Sequence, residues 1–133
     1  MSGTGIVTVD STHTASETLT RLQSALQAAG MTTFAMFDHA EAASKAGLVL
    51  RPTTVVVFGN PAAGTKLMQS RQIAGLDLPL KILVWEDESK KARLAYDDLS
   101  WLAARHGLGS ETAPVIAAMT NLMASLTQKA AKG

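Results

Sequence analysis

Five of the six residues in the run Thr53-Thr54-Val55-Val56-Val57-Phe58 are β-branched, and none carries a charge. Branching at Cβ restricts χ1 in a helix and packs well on a pleated surface, so the run predicts a strand covered on at least one face. It stops abruptly. Gly59 permits a sharp turn, Asn60 is a good N-cap and Pro61 a good first helical residue, which predicts a helix running to about Gln69. Gly75, Asp77 and Pro79 mark the way back to a second apolar strand, Leu80 to Glu86. The segment from Val55 to Glu86 is therefore the element that the rest of the chain must cover.

The residues before it supply two more strands and two helices. Gly5 to Val9 reads as a strand, and Thr14 opens a helix with Glu17 three residues on, as a capping box requires. Ala15, Leu19, Leu22 and Leu26 line one face of that helix, and Gly30 ends it. Thr32 to Phe37 predicts the second strand. Asp38, with Glu41 three residues later, caps a short alanine-rich helix that Gly47 stops. Leu48 to Pro52 is expected to be extended, because the residue before a proline is pushed away from the α region.

After the central segment, Asp87 to Lys91 predicts a hairpin turn and Arg93 to Tyr96 an antiparallel return. Asp97 or Asp98 caps a helix bearing Leu99, Leu102 and Ala103, which Gly107 closes. Ser110 or Thr112 caps a last helix from about Ala113 to about Lys129. Its apolar row is Val115, Met119, Leu122 and Leu126, widened by Ile116 and Met123. Two readings of that row stay open: it packs on the sheet, or part of it docks a second subunit. The predicted order is β-α-β-α-β-α-β-β-α-α. The fold class is α+β, an antiparallel sheet of about four to five strands covered by helices on one face.

A chain of 133 residues fits one domain spanning 1–133. Charged residues make up 17% against 47% hydrophobic, a low charge content that leaves apolar surface for a partner. The formal net charge is +1 with the signs interleaved, which predicts no nucleic-acid groove and no acidic-membrane surface. There is no cysteine, so disulfides, thiolate metal sites and cysteine nucleophiles are excluded. The start of the sequence lacks a basic and apolar leader, and no apolar run approaches the roughly 18 residues of a membrane span. A cytoplasmic location is the expectation.

Few residues carry chemistry. Gly59 to Lys66, GNPAAGTK, has the glycine spacing of a phosphate-binding loop, but Thr65-Lys66 reverses the Lys then Ser/Thr that a nucleotide loop needs. A helix N-terminus there still offers backbone N–H groups to an anion near Gly64 and Thr65; the alternative is a plain strand-to-helix turn. His39 should project at the start of the second helix. No histidine spacing brings two metal ligands onto one helical face, and no cofactor is called for. Glu86 and Asp87 point to opposite faces of a regular strand and cannot serve one site together. No nucleophile elbow surrounds any serine. Trp85 and Trp101 read as core or rim residues.

Asp38-His39-Ala40, Gly47-Leu48 to Arg51-Pro52-Thr53, Phe58-Gly59-Asn60-Pro61 with Gly64-Thr65 and Leu67-Met68, and Gly75 to Lys81 with Trp85-Glu86-Asp87 occur in that order. Together they resemble the bacterial and archaeal family known as domain of unknown function 302, from about Val7 to His106. The resemblance implies an α+β domain similar to a single copy of the TATA-box-binding-protein-like fold, seen as a homodimer, without implying DNA binding. It supplies no established activity. His39, Asn60, Gly64, Thr65, Asp77 and Lys81 match its motifs and are the candidate binding residues. The turn Glu88-Ser89-Lys90-Lys91 departs from the family in lacking a glycine. Two functions follow as expectations. One is a non-catalytic accessory or binding module for a small ligand, an anion among the candidates. The other is a small enzyme using His39 with Asp77 or Glu86 as acid and base.

Overall fold

The computed structural model describes residues 3–133. Its centre is one five-stranded sheet in the order β1-β5-β4-β3-β2, with every neighbouring pair antiparallel. The strands are β1 Ile6–Asp10, β2 Thr32–Asp38, β3 Thr53–Gly59, β4 Leu80–Glu86 and β5 Ala92–Asp97. Register aligns the apolar side chains of one face across the sheet: Val56 lies opposite Ile82, and Val84 opposite Leu94. Because side chains alternate along a strand, Thr54, Val56 and Phe58 of β3 and Leu80, Ile82 and Val84 of β4 form one buried surface.

Two helices cover that surface, α1 Ala15–Ala28 and α5 Ala113–Lys132. Leu22 and Leu26 from α1 and Met119, Met123 and Leu126 from α5 are buried in the same cluster as the strand residues. The apolar row of α5 therefore packs on α1 and the sheet. The remaining helices are α2 His39–Lys45, α3 Pro61–Ser70 and α4 Leu99–His106. The order of elements and the sheet covered by helices on one face are those the sequence predicts.

Local chemistry explains the starts and stops. The hydroxyl of Thr14 accepts from the Glu17 N–H at 3.1 Å, and Asp38 accepts from the Glu41 N–H at 2.9 Å. Each bond satisfies one of the four N–H groups left unpaired at a helix start. Asp98, one of the two residues proposed, caps α4 by accepting from the Ser100 N–H at 2.9 Å. Gly107 closes that helix at φ +63°, a left-handed conformation costly for a residue with a Cβ.

Three details differ from the sequence reading. Gln72–Asp77 and Ser110–Thr112 form short 3-10 helices where connectors were expected. Neither Ser110 nor Thr112 caps α5 through its side chain; the Thr112 hydroxyl donates back to the Gly109 carbonyl at 2.7 Å. Thr112 already has helical backbone angles, φ −84° and ψ −8°, so its side chain is not placed over the next turn as an extended cap would be. The helix also runs on to Lys132 rather than stopping near Lys129.

Phe58 is fully buried near the end of β3. Phe58→Ala is expected to lower unfolding free energy by about 3–5 kcal/mol, measured by urea denaturation. A loss below about 1 kcal/mol would show that this strand does not organise the core.

Candidate functional site

The site is built where β3 leaves the sheet. The Asn60 side-chain oxygen accepts from the Ala62 N–H at 3.0 Å, and Pro61 follows as the first residue of α3. This cap fixes the direction of α3 away from the strand. Between α3, the start of β2, the Leu78-Pro79 segment and α5 lies a cleft of about 230 Å³. Asn60, Gly64 and Thr65 line it together with Phe34, Met68, Leu78, Pro79, Leu80 and Met119. The Leu78–Pro79 peptide bond is cis.

A Cβ built at Gly64 would stand 4.0 Å from Leu78 Cδ1, which is ordinary contact, so the glycine avoids no clash. The walls are carbon and thioether sulfur, and Asn60 and Thr65 supply the polar side chains at the cleft. A neighbouring groove shares Asn60, Leu80 and Met119 and is bounded by Lys66 and by Val115 and Leu122 of α5.

Asp77 and Lys81 stand near this end of the sheet but do not line the cleft. Asp77 ends the 3-10 helix and accepts from Arg105 Nη1 at 2.8 and 3.1 Å; His106 Nε2 lies 2.6 Å from its Oδ2. Lys81 Nζ donates to the Asp77 carbonyl at 3.4 Å. The His106 side chain is buried, and Arg105 also sits over the Trp101 ring, 5.7 Å from its centroid. The cluster ties the 3-10 helix to α4. Nothing in the sequence pointed to Arg105, and the partners lie 28 and 29 residues from Asp77, so no local pattern joins them.

His39 lies elsewhere. Asp38 is opposite Thr54, whereas Thr32 is opposite Gly59. His39 and Asn60 therefore flank opposite ends of β3, on the order of 20 Å apart at about 3.3 Å per strand residue. His39 is not brought to Asn60, Gly64 and Thr65, nor to Asp77. Glu86 is at the His39 end, where its N–H donates to the Pro52 carbonyl at 2.9 Å and its own carbonyl accepts from Arg51 Nε at 3.3 Å.

Asp87 does turn chemistry. One carboxylate oxygen accepts from the Ser89 and Lys91 N–H groups at 2.9 and 3.0 Å, and the other pairs with Arg93 Nε at 3.0 Å. These bonds let Lys90 hold φ +64° without a glycine. The Lys91 N–H bond, with those of Ser89 and Arg93, holds the Asp87 carboxyl below the usual carboxylate range.

With this geometry established, the sequence matches the family described as domain of unknown function DUF302 over residues 7–126. The chain belongs to the DUF302 family. The fluoride-specific ion channel FluC 1 of Brucella suis is 44% identical over 127 residues, which cover 96% of this chain and 50% of that protein. FluC 2 of Brucella melitensis is likewise 44% identical, with 47% of its length covered. The chain thus spans about half the length of these curated relatives. A solved structure of an uncharacterized conserved DUF302 protein from Bacillus stearothermophilus superposes with a TM-score of 0.83 at 19% identity, covering 95% of this chain and 98% of that one. The DUF302 fold is therefore retained at an identity too low to carry function. Among the described residues, no helix is long and apolar enough to cross a membrane.

Asp77→Ala leaves buried His106 Nε2 without its acceptor and is expected to cost about 2–3 kcal/mol in urea denaturation; a cost below about 0.5 kcal/mol would show that the cluster anchors nothing. The lowered Asp87 pKa gives a second expectation. Stability from a depressed carboxyl is present above its unfolded pKa of about 3.9 and is lost as pH falls through the lower folded value. The gap in melting temperature between wild type and Asp87→Asn should shrink as pH drops below about 4. A gap that stays constant to pH 2 would refute the assignment.

Proposed function

We propose that this DUF302 domain is a non-catalytic accessory module that works as a homodimer and holds a small ligand in the cleft of Asn60, Gly64 and Thr65. The observation that carries the reading is the meeting of those three residues with Phe34, Met68, Leu78 and Met119 around one cavity. The chemistry of the walls favours an apolar molecule over an anion. An ion placed there would lose its hydration against carbon and sulfur with few polar groups in exchange, a cost that burial alone does not recover. Methionines adapt their shape to a guest, and a dry apolar cavity of about 150 Å³ already accepts benzene. Lys81 and Asp77 belong to this proposal as supports of the cleft wall at Leu78 and Pro79.

The accessory role rests on the relatives. Proteins about twice as long, named fluoride-specific ion channels, are 44% identical to this chain over about half their length. We carry across an association with ion transport, not the conduction itself. Of the enzyme pairings, His39 with Asp77 has less support: the two lie at opposite ends of β3, and Asp77 is occupied by Arg105 and His106.

Titration with benzene, indole and octanoate, followed by 13C-methyl methionine spectra, tests the ligand reading. Met68 and Met119 resonances are expected to move with at least one probe while that of Met36, on β2, stays fixed. Gly64→Leu, which fills the cleft, should abolish the shifts. Shifts that survive Gly64→Leu, or none at all, would refute the site. The association with transport predicts that cells lacking this chain differ from wild type in fluoride tolerance; equal growth across a fluoride series would remove it.

A further inference from the structure

A second cleft, of about 530 Å³, opens between α1 and α2 at the end of β3 far from Asn60. Register builds its floor. Asp38 lies opposite Thr54, and Thr54 opposite Val84. Directly opposed residues share a face of the sheet with Cβ atoms roughly 5 Å apart, so a carboxylate, a hydroxyl and an isopropyl group stand in one row. Ser16 and Leu19 of α1 bound the row on one side, and Glu41 of α2 flanks it.

Thr54 is the informative group. Four threonines are buried among the described residues, Thr18, Thr54, Thr112 and Thr127. Buried hydroxyls are normally bonded, and three of these are. Thr18 is 2.7 Å from the Ser11 hydroxyl, Thr112 donates to the Gly109 carbonyl at 2.7 Å and Thr127 to the Met123 carbonyl at 2.8 Å. Thr54 is 9% exposed, and its hydroxyl has no partner among the described residues. That hydroxyl still reaches solvent, and the cleft is where Thr54 meets it. Beside it, one oxygen of Asp38 accepts from the Glu41 N–H at 2.9 Å, and the other has no partner among the described residues.

No Lys, Arg or His lines the cleft. Lys45 pairs with Glu41 at 3.4 Å with both side chains largely in water, where such a pair is weak. Arg51 is turned to the Glu88 carboxylate at 3.7 Å and the Glu86 carbonyl at 3.3 Å. The cleft therefore keeps an excess of negative charge beside an unused hydroxyl. An anion would face two carboxylates. A neutral alcohol would leave Asp38 without a counter-charge. A hard metal ion needs six or more oxygens, and no group of three or more His, Cys, Asp or Glu among the described residues could hold a metal. An ammonium has three donors and no acceptor, which suits the free Asp38 oxygen and the Thr54 and Ser16 hydroxyls. From this arrangement we infer that the cleft binds a primary aliphatic amine, its ammonium between Asp38 and Thr54 and its chain against Leu19 and Val84. A cavity of about 150 Å³ accepts benzene, so a six-carbon chain fits with room for water. This site is independent of the one at Asn60, Gly64 and Thr65.

Titration of 15N-labelled protein at pH 7 with n-hexylamine, hexanol, hexanoate and magnesium chloride tests it. Hexylamine is expected to shift the Thr54, Glu41 and Val84 amides saturably, with the other three probes at least about tenfold weaker. Asp38→Asn keeps the cap oxygen and removes the charge; Thr54→Val keeps the shape and removes the hydroxyl. Each should weaken hexylamine about tenfold or more, since each deletes an acceptor for a charged donor. Glu111→Gln, which removes an exposed carboxylate outside this cleft, should bind as wild type does. If Thr54→Val does not fold, Asp38→Asn decides. No saturable shift, or full affinity in Asp38→Asn, overturns the site. Equal binding of hexanol or magnesium overturns the amine, and an equal loss in Glu111→Gln reduces the effect to overall charge and overturns both. None of these outcomes bears on the cleft at Asn60.

Discussion

The molecule depends on one constraint: the helix-facing side of β3 and β4 must be kept from water. Val56, Phe58, Ile82 and Val84 are buried almost completely, and the helices that bury them, α1 and α5, also pack on each other. A sheet with one dry face needs a helical layer, and everything else in the chain is arranged around that layer. The Thr14 and Asp38 caps start α1 and α2 where β1 and β2 end. The β4-β5 hairpin, held by Asp87, then brings Leu94 beside Val84.

The cleft follows from the same arrangement. The strand β3 exits toward α5, and the Asn60 cap turns the chain before it reaches that helix. The space left between α3 and Met119 is closed on its far side by Leu78 and Pro79. That closure is set by the Asp77 cluster, because Arg105 and His106 fix the 3-10 helix just before the cis peptide. A polar cluster thus holds the wall of an apolar cavity. Its bonds are shielded from water on the His106 side, which strengthens them and makes any loss of a partner costly.

The two sides of the sheet differ in how completely they are covered. Leu22 and Leu26 meet the helical side with no exposure to speak of, whereas Leu83 and Trp85 on the other side keep part of their surface in water. On that side Arg93 lies between two carboxylates, 3.0 Å from Asp87 and 3.6 Å from Asp10.

The sequence by itself determined the strands, the helices and most of their caps, because those depend on neighbours within about four residues. Thr14 with Glu17, Asp38 with Glu41 and Asn60 with Pro61 can each be read from the chain. The β-branched run at Thr53 also announced a covered strand, though not that only one face is covered. Tertiary structure decided what local spacing does not encode. It brought Asn60, Gly64 and Thr65 to Phe34 and Met119, residues far from them in sequence. It sent His39 to the opposite end of β3, because antiparallel pairing reverses direction, and it gave Asp77 to Arg105 and His106. It also made Trp101 a neighbour of Gly5, where any Cβ would meet the indole ring. Contacts between distant residues depend on strand order and register, and those are chosen by the burial of the whole core.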